Sequence, residues 1–422
     1  MAVSARTFYP HSDITMISGA SWFHHAIAYL ALLHAADVFR TVLDMSVGPM
    51  RTLETGLWLL LYIIVLASLF LNHNIRWINW FIRFRLLLFV ILAVTAASMF
   101  WSLNPLLTIK RSIHIIGTTL IGFYIGFHFP KKDLILILER ILIALMVSGA
   151  LVAMLLPEWG QQFYEGKYVW KGLLSNKNAF GFVSGIAVLF FAARLWMTHY
   201  PKHLYYLVFL VISCMNVVMS DSATALATLL ISIFVVSCFA FTTMLRLHGL
   251  ITLLLLLTMG CAITVILMAV DLNQLTGVVG RSADLTGRTD VWYKVWTLVE
   301  QKPWLGFGYG SIWFPDVDAE QNQQAMLSTT WLVTHAHNGF LQVASELGLP
   351  IAFISVLFLV QVLIEPVTVQ LRRPSALNLF LIGFLSMIII SNAFEARFLI
   401  DRNFYWILFI ALPIGLMKIG KQ

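Results

Sequence analysis

Residues 131–157 read KKDLILILERILIALMVSGALVAMLLP. Two lysines and an aspartate open the stretch, Pro157 closes it, and between Leu134 and Leu156 the only charges are Glu139 and Arg140. A helix crossing a bilayer needs about 20 mostly apolar residues, since hydrocarbon offers no partner to an exposed backbone N–H or C=O. The stretch therefore reads as a membrane span whose basic end sits in water. Runs of the same kind precede it at residues 17–39, 55–71, 84–101 and 107–129, and follow it at 179–197, 204–219, 223–245 and 250–270. His24, His25, His34 and Asp37 interrupt the first of these, making it the weakest. After a long polar stretch, three more follow at 339–364, 377–392 and 404–417. About 12 spans are expected, and with them an all-α, polytopic integral membrane protein.

Composition agrees with that class. Of 422 residues, 60% are hydrophobic and 11% charged, against about 25% charged in a soluble domain. The 27 Lys and Arg outnumber 20 Asp and Glu, but they stand singly or in pairs between apolar runs. No basic stripe suited to nucleic acid forms. Cys214, Cys238 and Cys261 all fall inside apolar runs, so neither a disulfide framework nor a zinc site is implied. Residues 1–13 lack the basic start and small-residue cleavage site of a secretory signal, so the first hydrophobic segment is expected to be retained. The chain divides into an N-terminal bundle of about nine helices (1–270), a large polar loop with an amphipathic helix (271–336) and about three C-terminal helices (337–422).

An even number of spans places both ends on one side. The connections on that side hold Arg76, Arg83, Lys131, Lys132, Arg194, Arg372 and Arg373 among others, a modest excess that makes it cytoplasmic. The long loop then faces outward. Lys110, Arg111, Lys167, Lys171, Lys177, Arg397 and Arg402 also fall at outer ends. That outer charge is either residual charge tolerated where other helices set the topology, or a seat for an anionic ligand.

Within the loop, residues 281–304 read RSADLTGRTDVWYKVWTLVEQKPW, with Arg288, Trp292, Val295, Trp296 and Val299 at helical spacing. This predicts a short amphipathic helix at the membrane surface. Thr286 as N-cap would put Arg288 in the first turn, where unpaired N–H groups already favour an anion; the bland alternative is a solvated arginine. The GFGYG of 306–310 lacks the preceding strand of a nucleotide loop, and its glycines suit a chain doubling back. Asp316 and Asp318 could share a divalent cation, or form an ordinary acidic pair. The loop closes in THAHNGFLQVASELG (334–348). There Asn338, Gln342 and Ser345 share a helical face that belongs inside the bundle. His335 and His337 would point about 200° apart on a helix, with no third ligand near in sequence. Metal is therefore not expected, while a histidine at the mouth of a wet cavity can serve as general base.

Four segments together resemble the O-antigen ligase and polymerase superfamily of bacterial envelope glycosyltransferases. GRTDVWYKVW from Gly287 is similar to its Gly-Arg segment followed by tryptophan, and QKPWLGFGYGSIW from Gln301 to its Pro-aromatic, Gly-rich turn. HNGFLQVASELG from His337 is similar to its His-Asn span entry, and SNKNAFG from Ser175 to its Asn-x-Asn entry to an earlier span. The chain departs at SDSATALA from Ser220, where many members carry a basic residue and Ala223 stands here. The resemblance implies a GT-C-like glycosyltransferase of the bacterial inner membrane working at the periplasmic face. It would move a completed O-antigen from undecaprenyl pyrophosphate to a lipid A-core sugar hydroxyl, among membrane lipids, with no cofactor. By position, Arg288 and His337 carry catalysis, as pyrophosphate clamp and base. Lys110, Arg111, Lys177, Asn178, Asn338, Arg397 and Arg402 would bind substrate. A short chain with one large outer loop favours ligase over polymerase or protein O-oligosaccharyltransferase. A lipid or solute transporter is the alternative of a different class; such proteins show internal repeats and broken helices, and no clear repeat is seen.

Overall fold

A computed structural model describes residues 22–46, 51–73, 85–245, 288–313 and 335–417, with the backbone alone for 43–46, 51–52 and 288–289. The expected span at 250–270, the N-cap Thr286, the pair Asp316 and Asp318 and most of the long loop lie outside the described residues. What is described is a helical bundle with one small hairpin. In chain order the elements are α1 (Trp22–Ala35), α2 (Val38–Ser46), α3 (Arg51–His73), α4 (Leu86–Ala97), α5 (Pro105–His128), α6 (Lys131–Leu155), β1 (Gln161–Tyr164), β2 (Lys167–Trp170), α7 (Lys177–Trp196), α8 (Lys202–Met219), α9 (Ala223–Met244), α10 (Arg288–Gln301), α11 (Gly339–Leu347), α12 (Leu349–Arg372), α13 (Ala376–Ser391) and α14 (Phe404–Leu416).

Six of these are long and apolar enough to cross a membrane: α6, α7, α8, α9, α12 and the Leu53–Leu71 part of α3. Shorter apolar helices cover Leu86–Phe100, Ala376–Ser391 and Phe404–Leu416. A polytopic membrane protein follows, but not the count of twelve. Helix α5 has the length yet carries buried Thr108, Ser112, His114, Thr118, Thr119 and His128, which make it a polar helix lined by others. Two expected spans are also broken. The first divides into α1 and α2 at Asp37, whose φ is 60°. The one expected over 339–364 divides at Gly348, with φ 85°; a Cβ there would collide with the Trp304 carbonyl. The membrane-crossing helix begins only at Leu349, and α11 is a separate helix ahead of it.

The hairpin corrects the all-α expectation. Strands β1 and β2 pair antiparallel with Phe163 opposite Tyr168, and Glu165 (φ 48°) and Gly166 (φ 80°) make the two-residue turn. Positive φ at both turn positions matches the twist of a tight hairpin.

Helix α14 sits at the centre, buried along its whole length, as befits a helix apolar on every side. Gly122 and Gly126, one turn apart on α5, let the two backbones approach: an added Cβ at Gly122 would lie 2.8 Å from the Ile407 carbonyl. Close packing of small residues replaces the hydrophobic drive that lipid does not supply. This core holds the connection 392–403, between α13 and α14, against the entries of α5, α7 and α11.

Candidate functional site

Three helix entries converge on that connection. Asn176 caps α7 by accepting from the Ala179 N–H at 2.9 Å, so Lys177 and Asn178 stand in the first turn. Asn338 caps α11, accepting from Phe340 N at 3.0 Å and Leu341 N at 3.1 Å; its role here is structural. Asn392 ends α13 and binds both neighbours: its carbonyl accepts from Gly339 N at 2.8 Å. Its side-chain oxygen accepts from Arg397 N at 3.1 Å and Phe398 N at 3.0 Å. The start of α11 and the 392–398 turn are thereby one unit.

Glu395 is the hub. His335 Nε2 lies 3.1 Å and His337 Nδ1 3.5 Å from the same carboxylate oxygen, Oε2. The other oxygen, Oε1, accepts from Asn178 Nδ2 at 3.1 Å, and Asn178 in turn accepts from Ser222 Oγ at 2.9 Å. The carboxylate side chain is 7% exposed while the imidazoles of His335 and His337 are 30% and 26% exposed, so the acid is buried and the two bases are half-buried in front of it. Burial alone would raise the Glu395 carboxyl. Hydrogen bonds from His335 and His337 and the Arg397 charge outweigh it and hold the group well below the usual carboxylate range. Burial lowers His335 from the ordinary imidazole value, the Glu395 bond notwithstanding. His337 adopts φ 50°, a conformation that L residues adopt rarely and that marks constrained positions. Its carbonyl accepts from Trp292 Nε1 of α10 at 3.3 Å.

The guanidinium of Arg397 lies 4.6 Å from the Phe182 ring and 4.7 Å from the Tyr405 ring. Lys177 Nζ lies 3.3 Å over the Tyr164 ring of the hairpin, donates to the Asp221 carbonyl at 3.1 Å, and shares that residue's carboxylate with Lys167 at 3.8 and 3.0 Å. The segment beside Ala223, which lacks a basic residue of its own, thus has two lysines brought to it. Residues 208–357 match the O-Antigen ligase family model. Over 353 residues, covering 78% of this chain and 75% of the relative, the chain is also 24% identical to the exopolysaccharide production protein ExoQ of Rhizobium meliloti (strain 1021). The resemblance to the O-antigen ligase family stands on both findings.

Of the residues that the O-antigen ligase resemblance singled out, His337, Asn338, Asn178 and Arg397 meet in one place, with Lys177 at its edge. Arg111 and Arg402 meet elsewhere on the same connection: both face Asp401, each at 3.8 Å, and Arg402 also faces Glu54 at 4.0 Å. Lys110 is exposed on α5, next in sequence to Arg111. Arg288 begins α10, and its side chain is not described. The buried stripe of α10 is Val291, Val295, Leu298 and Val299, while Trp296 faces out. The glycine turn doubles back as expected, with Gly306, Gly308 and Gly310 all at positive φ, pressed on Glu346, Ser102 and Arg111.

Sequence reading missed Glu395, Ser222 and Asp401. Glu395 stands in SNAFEARF (391–398) as the lone acid between an apolar span and Arg397, and an acid at a span's end was the available signal. It also supplies the third ligand that spacing did not reveal. His335, His337 and Glu395 place ligand atoms within 4.8 Å of one another, a set with which a divalent metal is chemically compatible.

Proposed function

We propose that this protein transfers a lipid-linked O-antigen glycan to a lipid A-core sugar hydroxyl at the periplasmic face of the inner membrane. Family members transfer glycans from lipid-linked donors. The observation that carries the reading is the pairing of an open imidazole, His337, with a buried carboxylate within reach of arginine. With Nδ1 turned to Glu395, Nε2 of His337 is left for the acceptor. The acceptor oxygen attacks the anomeric carbon, its proton passes to His337, and the bond to pyrophosphate breaks with the electron pair leaving on the phosphate oxygen. Arg288 clamps that leaving group, and Arg397 and Lys177 add positive charge where negative charge develops. No step needs a metal. Similarity to a protein named for exopolysaccharide production supports a second reading in which the acceptor is another glycan, as in chain polymerisation, rather than lipid A-core.

The broken α1–α2 and α11–α12 segments are a trait that transporters share. The imidazole–carboxylate cluster at a helix entry favours transfer chemistry instead. The test measures donor affinity beside single-turnover rate in purified His337→Ala, Arg288→Ala and Arg288→Lys. His337→Ala should lose roughly 10²- to 10⁴-fold in rate with donor binding kept. Arg288→Ala should weaken donor binding, with poor rescue by lysine, which lacks the planar fork. Full activity in both alanine variants would remove the transferase reading. Product formed on a core sugar or on the glycan's own end separates ligase from polymerase.

A further inference from the structure

We infer that Glu395 is the positioning residue of the site, setting the tautomer and direction of His337 from a carboxylate that Asn178 and Ser222 hold in place. This rests on the reading of His337 as base. The chain of contacts runs one way: Ser222 Oγ donates to Asn178 Oδ1 (2.9 Å), Asn178 Nδ2 donates to Glu395 Oε1 (3.1 Å), and Glu395 Oε2 faces His337 Nδ1 at 3.5 Å. A carboxylate accepts only. A proton on His337 Nδ1 faces that acceptor, and this tautomer leaves the Nε2 lone pair as the basic site. The same charge stabilises the imidazolium formed when Nε2 takes the acceptor's proton.

The four residues come from far apart in sequence, on α7, the α8–α9 connection, the start of α11 and the 392–403 connection. No local pattern requires them to meet. A buried carboxylate would be costly without partners, and the contacts on both of its oxygens keep Glu395 ionised. His335 takes the second place on Oε2 at 3.1 Å and fixes the acid from the side away from Asn178. Among the described residues, the titratable groups beside His337 are Glu395, at 3.5 Å, and His335, whose ring centroid lies 3.9 Å away; Arg397 sits on the same connection as Glu395. Asn178 on α7, Ser222 and Trp292 on α10 are neutral.

The experiment uses the full-length protein in detergent, a synthetic undecaprenyl-pyrophosphate oligosaccharide as donor and lipid A-core as acceptor. Glu395→Gln keeps the shape and loses the charge. Its single-turnover rate should fall at least tenfold, and by no more than His337→Ala, with donor affinity unchanged. Glu395→Asp should recover part of the rate. The double variant Glu395→Gln/His337→Ala should be no slower than His337→Ala alone, since a residue that acts through another adds nothing once that one is removed. If Glu395→Gln fails to fold, Asn178→Ala, which frees Oε1, should lower the single-turnover rate at saturating donor. Wild-type rate in Glu395→Gln, or additive losses in the double variant, would overturn the inference while leaving His337 as base. An unimpaired His337→Ala would instead remove the reading beneath it.

Discussion

The two ends of α7 each hold a buried ionic cluster, and they are built oppositely. At its last turn Arg194 pairs with Glu139 of α6 at 3.2 Å, and Tyr206 of α8 donates to the same carboxylate at 3.0 Å. The Arg194 guanidinium also lies 4.9 Å from the Tyr206 ring. Acid, base and phenol satisfy one another, tying three helices together. At the first turn, some 24 Å away by helical rise, the acid is just as well held. It presents two imidazoles to the open side instead. Burial of charge by itself therefore says little about function. What separates the ends is whether the network closes on itself or leaves a group directed outward.

The largest effects should dissociate along that line. His337→Ala is expected to lose roughly 10²- to 10⁴-fold in transfer rate with little change in thermal midpoint. Arg194→Met should do the reverse. Leaving Glu139 buried without its partner costs about 3 kcal/mol, read as a lowered midpoint, with the rate per folded molecule preserved. An Arg194→Met protein that stays folded but inactive would break the distinction. Tyr206→Phe removes one hydrogen bond to the Glu139 carboxylate and should cost about 1–2 kcal/mol, measured the same way.

A smaller effect concerns acid. The folded His335 lies below the usual imidazole value of 6.5, so as pH falls through that region the unfolded chain takes up a proton that the folded one refuses, and stability declines. The folded Glu395 lies well below the usual 4.5. Its contribution is fully present above that value and lost as pH falls through the lower folded one. Both act in the same direction. Glu395→Gln should therefore unfold less steeply below about pH 4.5 in an acid titration followed by circular dichroism. An identical titration for the wild type and the variant would show that the open cluster adds nothing to stability. The smallest expected effect is none at all: transfer by purified protein should persist in a chelator. Activity lost in chelator and restored by added zinc or magnesium would turn His335, His337 and Glu395 into a metal centre and sharpen the contrast in a different way.

By itself the sequence determined the solvent. Long apolar runs with water-facing basic ends can only be spans, because backbone groups in hydrocarbon must pair internally. Helix boundaries were accordingly readable to within a few residues for α5, α6, α7, α8 and α9. The burial of Gln342 and Ser345 was readable too, whereas Asn338, expected on the same helical face, caps α11 instead. Breaks were not. Apolar periodicity continues through Gly348, and it is the contact of Gly348 with Trp304, from a distant segment, that ends α11; Asp37 weakened the first run without showing that the chain divides there into two helices. The hairpin was missed because four-residue strands are too short for alternation to register. The membership of the site was decided only in three dimensions. His335, His337, Glu395, Asn178 and Ser222 are spread over about half of the chain, and nothing local distinguishes Glu395 from any acid at the end of a span. What makes it a hub is that α14, buried on every side, fixes the connection before it, and that fixed connection carries one carboxylate to the entries of two other helices.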